Sequence, residues 1–443
     1  MYEDSGFHSC PAQSLYCKFG KDKGASEIQI SIYNGKDFSC ECREGNIEKL
    51  EQANSSSASI KLIVDNKTAT ASTSDLSEST FEEAILNAIE RAKYSSKDKF
   101  AGLPPTTGIK PDIKTLDIFC QDIEKMPTSD KVEYAKNMEK VVLRDTRIKN
   151  SGGASVSTSI ASRILANSKG FSGEYKSTMF SGGVGVQAGS KDKFYEDYWY
   201  ESTRKLQNIL APEKIADIAI TRVIRLLGAK KIPTQVVPVV FDPQMSASLI
   251  GFLISCLYGS SIYMKQSFLV DKLGSQIANS NLSIIDDPTL PHLNGTRPWD
   301  SEGTIMKKTE IIKDGVLKTY LLDTYSAKKL DMKSTGHASG ISNCYVAPGK
   351  VSQDDIIKSV DKGLFLTNTI GQGTVPTTGD ISKGASGLWI ENGKLTYPVD
   401  EITFTGKLSE MLQNIDMIGN DLTMKNSLSS PTLKINNISL SGI

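Results

Sequence analysis

The sequence predicts an α+β protein: an N-terminal α/β domain followed by a larger C-terminal domain rich in antiparallel sheet. A length of 443 residues exceeds one ordinary core, so two domains are expected, 1–210 and 211–443. The pairs Asn34-Gly35, Asp65-Asn66, Asp314-Gly315 and Asn392-Gly393 stand between short strand-like runs, as hairpin turns do. A few other segments carry apolar residues at steps of three and four, the spacing of helices with one buried face.

In chain order, Ser14 to Phe19, Glu27 to Tyr33 and Asp37 to Cys42 read as strands of a meander, with Asn34-Gly35 as a hairpin tip. Ile60 to Val64 and Lys67 to Ser72 form another pair about Asp65-Asn66. Thr80 with Glu83 makes a capping box, and Phe81, Ile85, Ala88, Ile89 and Ala92 then form a helical stripe as far as Lys93. Gly102 to Pro111 is a linker, and Thr128 to Arg147 is a second, half-exposed helix. Ile148 to Tyr200 turns to Ser, Gly and alternating apolar residues, the texture of strands with tight glycine turns. A third helix runs from Pro212 to Leu227 and stops at Gly228.

The strand Val236 to Phe241 leads into the most apolar helix of the chain. Asp242 supplies an N-cap acceptor, and Pro243 takes the first helical position, where its missing N–H costs nothing. Met245, Leu249, Phe252, Leu253, Cys256 and Leu257 form the stripe, with Gly259 as the stop. With no charged face, this helix is expected to be covered on most sides. It holds no His, Asp, Glu or Lys between Pro243 and Met264, so it offers no catalytic side chain. Beyond it come strands at Ser283 to Ile285, Lys308 to Lys313, Val316 to Leu322, Leu388 to Glu391, Lys394 to Val399 and Glu401 to Thr405. Short helices fall at Ser326 to Leu330, Gln353 to Val360 and Leu408 to Asn414.

The charges cancel, 51 basic against 51 acidic, which gives no whole-chain attraction to nucleic acid or anionic membrane. No signal pattern opens the chain, and the longest apolar run is too short to span a bilayer, so a cytoplasmic location is expected. Seven cysteines, an odd number in a long chain, fit reduced thiols.

Few residues offer chemistry. His8, His292 and His337 are far apart and read as ordinary polar or turn residues. His8, Cys10, Cys17, Cys40 and Cys42 are the best local metal candidates: Cys40 and Cys42 share a strand face and Cys17 would sit on a neighbouring strand. Without a second pair at zinc-knuckle spacing, thiols with no metal are the expectation. Cys256 on the apolar stripe is core, and no base can be assigned to Cys344. SGGVGVQAG (181–189) lacks the Gly-Lys-Ser/Thr ending of a phosphate loop. Arg297 and Glu302 in a charged, proline-rich loop, and Asp323, Tyr325 and Ser326 at a strand end, are candidates for a substrate or partner surface. The alternative is a loop network that fixes Trp299.

Several runs carry a resemblance: ASTSDLS (71–77), ANSKGFSG (166–173), PVVFDP (238–243), DDPTLPHLNGTRPWDSEG (286–303), GVLKTYLLDTYSAKKL (315–330), STGHAS (334–339), TGDISKGASGLWIENGKLTYPVDE (378–401) and IGNDL (418–422). In that order they resemble the TldD/PmbA family, once called modulators of DNA gyrase. The family has two branches of similar fold that form a heteromeric metallopeptidase. In the TldD branch the central helix carries His-Glu-x-x-x-His, and a cysteine near the C-terminus completes the metal site. The corresponding stretch here runs roughly from Ile250 to Ser255, and GNDLTMKNSLSSP (419–431) has no cysteine. The resemblance therefore implies the TldE (PmbA) branch, the subunit without the metal motif. It also implies a chain inactive alone, zinc in a TldD-like partner, and small or unfolded peptides as substrates. The alternative is a scaffold homodimer with no peptidase role.

Overall fold

The computed structural model describes residues 10–106, 110, 112–190 and 193–442. The described chain opens with α1 (Cys10–Asp22), then three antiparallel strands β1 (Glu27–Arg43), β2 (Asn46–Val64) and β3 (Lys67–Thr73), followed by α2 (Glu78–Tyr94). Two short helices, α3 (Ile113–Leu116) and α4 (Gln121–Lys125), precede α5 (Thr128–Arg144). The strands β4 (Ile148–Asn167), β5 (Ser172–Ser190) and β6 (Lys193–Thr203) then complete a six-stranded sheet of order β3-β2-β1-β4-β5-β6. Every pairing in it is antiparallel.

Period-two alternation sets the two faces of this sheet. Ile28, Ile30 and Ile32 of β1 are buried with α1 and α2, while Phe38, Cys40 and Cys42 are buried with α5 and α6 (Pro212–Ile224). The helices thus occupy one face. The opposite face, with Ser31 and Tyr33, looks toward the second half of the chain.

Three expectations for this region fail. Ser14 to Phe19 is not a strand but part of α1. Asn34-Gly35 is not a hairpin tip, because β1 runs straight through it. Asn34 pairs with Ser56 on one side and Ser162 on the other, so both strand edges are taken up. Gly35 instead makes room for a ring: a Cβ there would meet the Tyr33 hydroxyl at 2.6 Å. The turn falls at Glu44-Gly45, with φ of 52° and 78°. The third failure is the capping box. Helix α2 begins two residues before Thr80, whose hydroxyl donates to Asp75 Oδ2 at 2.8 Å. The turn at Asp65-Asn66, with φ of 49° and 61°, is as expected, and so is the buried stripe of α2.

The second half follows with β7 (Gln235–Phe241), α7 (Pro243–Ser255), α8 (Gly259–Tyr263), β8 (Ile284–Asp286), β9 (Thr309–Lys313), β10 (Val316–Leu317) and α9 (Thr324–Lys329). Next come β11 (Cys344–Val346), α10 (Gln353–Lys358), β12 (Lys362–Ile370), β13 (Thr374–Val375), β14 (Asp380–Glu391) and β15 (Lys394–Lys407). The chain ends with α11 (Leu408–Gln413), β16 (Ile415–Ile418), β17 (Leu428–Ser429) and β18 (Leu433–Ser441). A five-stranded sheet runs β10-β9-β8-β11-β17. In the larger sheet, β12 pairs with both β7 and β14, so the path β12-β7-β18-β15-β14 closes on itself. Most pairings here are antiparallel; β12 with β7 and β11 with β17 are parallel. Asp314-Gly315 and Asn392-Gly393 are turns, with positive φ at all four residues. No helix among the described residues is long and apolar enough to cross a membrane.

Candidate functional site

Helix α7 starts where the sequence places it. Asp242 Oδ1 accepts from the Met245 amide at 2.8 Å, and Pro243 takes the first position. The helix ends at Ser255, ahead of the expected stop at Gly259, because the chain turns at Cys256 and sends Cys256 and Leu257 into the core. Leu249, Ile250, Leu253 and Ile254 are buried, whereas Ser248 and Ser255 are exposed and Ala247, Gly251 and Phe252 are half-buried. The expectation of cover on most sides thus holds, with only Ser248 and Ser255 of the helix exposed. Asp242 itself is buried beside Arg222, whose Nη1 lies 3.8 Å from Asp242 Oδ2. Burial pushes this carboxyl above the usual carboxylate range, against the opposing pull of the Met245 amide, Arg222 and Arg225.

The tail at 423–430 lies across the outer face of α7. Leu428 approaches Gly251 closely enough that a Cβ there would stand 3.4 Å from Leu428 Cδ2. Between this tail, the first turns of α7 and β6 lies a small cavity of about 180 Å³, with Gln244, Ala247, Lys425 and Ser429 in its wall. Its one carboxylate, Glu201, is already engaged by Lys425 at 2.5 Å and by Trp199 Nε1 at 2.9 Å. A metal-assisted hydrolase needs imidazole, thiolate or carboxylate donors converging on the ion. The cavity offers amide, methyl and hydroxyl groups and one spent carboxylate, so its donors do not fit a catalytic metal. Among the described residues, no group of three or more His, Cys, Asp or Glu is placed to hold a metal ion.

A larger cleft of about 560 Å³ adjoins it, between the helix-free face of the six-stranded sheet and the loop at 294–301. Tyr33, Arg163 and Tyr175 form a cross-strand row over β1, β4 and β5 on the sheet side, and Arg163 lies 5.2 Å above the Tyr33 ring. Arg204, Arg297 and Trp299 close the other side. Arg204 joins the walls by donating to the carbonyls of Leu293 at 3.0 Å and Asn294 at 2.7 Å. Asn294 Nδ2 in turn donates to the Ser202 carbonyl at 3.1 Å, which ties this cleft to the cavity over α7.

Four of the five candidate residues meet at the start of α9, and Arg297 stands apart from them. Arg297 lies on the cleft, its Nη2 donating to the carbonyls of Gly340 at 2.7 Å and Ile341 at 2.8 Å. Glu302 is buried, accepting from the Thr324 amide at 2.9 Å, with Lys61 at 3.6 Å. Asp323 caps α9 through the Ser326 amide at 2.7 Å and also receives the Ser326 hydroxyl. The Tyr325 hydroxyl donates to Asp98 Oδ2 at 2.7 Å. Only Arg297 faces the cleft. Arg163 and Arg204 were not anticipated, and nothing in their local sequence marks them.

The cysteine group also comes apart. Cys40 and Cys42 do share a face, their sulfurs 3.8 Å apart, but Cys17 sits on α1 in a separate core. His8 and the Cys10 side chain lie outside the described residues. Burial pushes the Cys17 and Cys42 thiols up to about 12 and Cys256 to about 11, which makes all three unreactive at neutral pH. His337 is buried, with Nδ1 2.9 Å from Thr335 Oγ1, while Nε2 faces Asp286 Oδ2 at 3.3 Å without hydrogen-bond geometry. Asp286 is already held by the amide and hydroxyl of Ser342, both at 2.8 Å. His292 is half-exposed in its loop with φ of 54°.

Comparison with known proteins places this architecture. Residues 29–96, 121–227 and 234–442 match, in turn, domain 1, the central domain and the C-terminal domain of the PmbA/TldA metallopeptidases. The chain is 33% identical over 437 residues to a protein of Haemophilus influenzae named metalloprotease PmbA homolog, covering 97% of this chain and 95% of that one. It is 34% identical over 424 residues to metalloprotease PmbA of Escherichia coli O157:H7, covering 96% and 93%. A crystal structure from Bacteroides thetaiotaomicron, titled as a candidate modulator of DNA gyrase, superposes with a TM-score of 0.91 at 32% identity over 98% of this chain and 100% of that one. The fold is also that of TldE from Thermococcus kodakarensis, with a TM-score of 0.86 at 21% identity over 97% of this chain and 100% of that one. Three consecutive domain matches and relatives that align from end to end show that the chain belongs to the PmbA/TldD metallopeptidase family.

Proposed function

We propose that this chain is the metal-free subunit of a two-component peptidase acting on small or unfolded peptides. A TldD-like partner supplies the zinc, the general base and the nucleophilic water. This chain closes the chamber and holds extended peptide in the cleft beside α7. The observation that carries the reading is the make-up of the outer face of α7: Ala247, Ser248, Gly251 and Ser255 face outward, and none can ligate zinc usefully at neutral pH. Shifting the register does not help. A motif placed at Ile250, Gly251 and Ser255 would begin on a side chain sealed in the core, and one placed three residues earlier would fall on Ala247, Ser248 and Phe252. The relatives named metalloprotease supply the reaction class, and the even charge balance argues against nucleic acid as the partner.

The test is to purify the chain, measure its zinc, and assay an unfolded peptide with the chain alone, with a TldD-like subunit from the same cell, and with both. The expected result is substoichiometric zinc, no cleavage by this chain, and cleavage together with a joint complex in the mixture. Zinc at one ion per chain, or unaided cleavage, overturns the reading. An inert mixture in which this chain only pairs with itself would favour a binding scaffold.

A further inference from the structure

Resting on the reading that this chain holds peptide, we propose that the cleft facing Arg297 is a carboxylate site. Arg163, Arg204 and Arg297 there receive a carboxylate of an extended peptide, either its free C-terminus or an acidic side chain.

The three arginines come from distant parts of the chain and line one cleft of about 560 Å³. That is the size of a small-ligand site, enough for a few peptide atoms beyond the carboxylate and far too small for duplex nucleic acid. Among the described residues, all their hydrogen-bond partners are neutral. Arg204 donates to the Leu293 and Asn294 carbonyls, Arg297 to backbone carbonyls and the Met306 sulfur, and Arg163 Nη1 to Ser177 Oγ at 3.4 Å. Carbonyls hold a guanidinium in place without cancelling its charge. Among the described residues, no Asp or Glu lies within 4.0 Å of any of the three guanidinium groups, although Arg222 and Arg147 both have such partners. The long-range compensation for Arg297 comes from Asp286 and Asp300. Both carboxylates are already committed, Asp286 to Ser342 and Asp300 to the amides of Glu302, Thr304 and Ala338.

Packing three guanidinium groups in a half-closed space whose one lining carboxylate, Asp300, is committed to backbone amides is costly, and an anion that enters recovers that cost. The Arg204 side chain registers the cost. Burial pushes its guanidinium down to about 10, and Arg163 and Arg297 push in the same direction against Tyr175. It remains charged at neutral pH. A planar, forked donor matches the two oxygens of a carboxylate. Tyr33, Tyr175 and Trp299 surround the guanidinium groups with aromatic walls that suit the apolar part of a peptide.

The test uses the full chain and isothermal titration with three unstructured hexapeptides of alanine and glycine: a free acid, its C-terminal amide, and the amide with one aspartate near its end. The free acid should bind roughly tenfold or more tighter than the amide. Recovery by the aspartate peptide assigns the site to side-chain carboxylates as well, and no recovery assigns it to the C-terminus alone. Arg163→Gln should weaken the free acid roughly tenfold and leave the amide unchanged, with thermal stability as the check on folding. Equal binding of acid and amide, absence of binding by any peptide, an indifferent Arg163→Gln, or stronger binding of a single-stranded oligonucleotide or inorganic phosphate would each overturn the proposal. Loss of acid preference with cleavage by the paired subunits intact would remove this inference alone. Carboxylate-selective binding with an inert pair would remove the subunit reading alone.

Discussion

Asp242 holds two roles that pull against each other. Its side chain caps α7, and its burial disfavours the charge it carries. The sign of its pH dependence follows from that conflict. Because its pKa in the folded chain is raised, the unfolded chain releases this proton first as pH rises. Its contribution to stability is therefore fully present below the unfolded pKa and is lost as pH rises through the folded pKa. Asn caps about as well and does not titrate. Asp242→Asn should thus gain stability relative to the natural chain as pH rises above the unfolded carboxylate pKa of about 4, read as a difference in Tm that grows until the folded carboxyl has ionised. If the natural chain instead pulls ahead as pH rises, Arg222 and Arg225 outweigh burial. The same scale shows what sequence can and cannot reveal of a site. Arg297 stands out because its loop is crowded with charge and proline. Arg163 and Arg204 are single basic residues on or beside strands, separated from it by more than ninety positions, and only the fold brings the three together. Asp323 and Ser326 looked like surface candidates because cap residues and ligand-binding residues are the same polar types.

At the level of elements, most of what neighbouring residues set was read correctly, the capping box at Thr80 and the strand at Ser14 to Phe19 being exceptions. The Asp-Pro start of α7, the stripe of α2 and the Asp-Gly and Asn-Gly turns of the second half are each set by residues within a few positions of one another. Elements fixed by distant partners were misread or missed. Asn34-Gly35 turns the chain only where no neighbour claims its strand edges, and here β2 and β4 claim both. The closed path through β12, β7, β18, β15 and β14 joins segments up to about two hundred residues apart, so no window of sequence contains it. Helix α7 also makes a prediction possible. If its vacancy were only a matter of side-chain identity, grafting the ligands would restore a metal site. Ile250 is fully buried, so Ile250→His places an imidazole in hydrocarbon, while Gly251→Glu sets a carboxylate side chain against Leu428. The variant combining these two changes with Ser255→His should bind no stoichiometric zinc and lose about 2–5 kcal/mol of stability. Zinc measurement and chemical denaturation check this, and a stable variant with one zinc per chain would show that the helix can rotate into the role.

Across the whole molecule, the cleft is only as well defined as the joint between the two halves. Trp299 comes from a loop of the second half and is buried with Leu165 and Phe171 of the first. Its ring meets Phe171 edge-on at 5.3 Å and Tyr175 at 5.2 Å. Gly173 on β5 leaves the space the indole needs, since a Cβ there would stand 2.7 Å from it. Polar bonds on either side brace the insertion: Gln29 Nε2 to the Ser301 carbonyl at 3.0 Å, and Asn294 Nδ2 to the Ser202 carbonyl. Because the indole spans the joint, its loss creates a cavity and also removes the apolar contact that couples the halves there, leaving polar bonds such as those of Arg204 and Tyr325. Trp299→Ala should cost about 3–5 kcal/mol. In calorimetry, the single transition expected of the natural chain should separate into two as the halves begin to melt independently. Gly173→Ala should act in the same direction without touching the tryptophan, since the added methyl must push the indole out. If both variants melt in one transition at the natural temperature, the halves are coupled elsewhere, and the shape of the cleft does not depend on this contact.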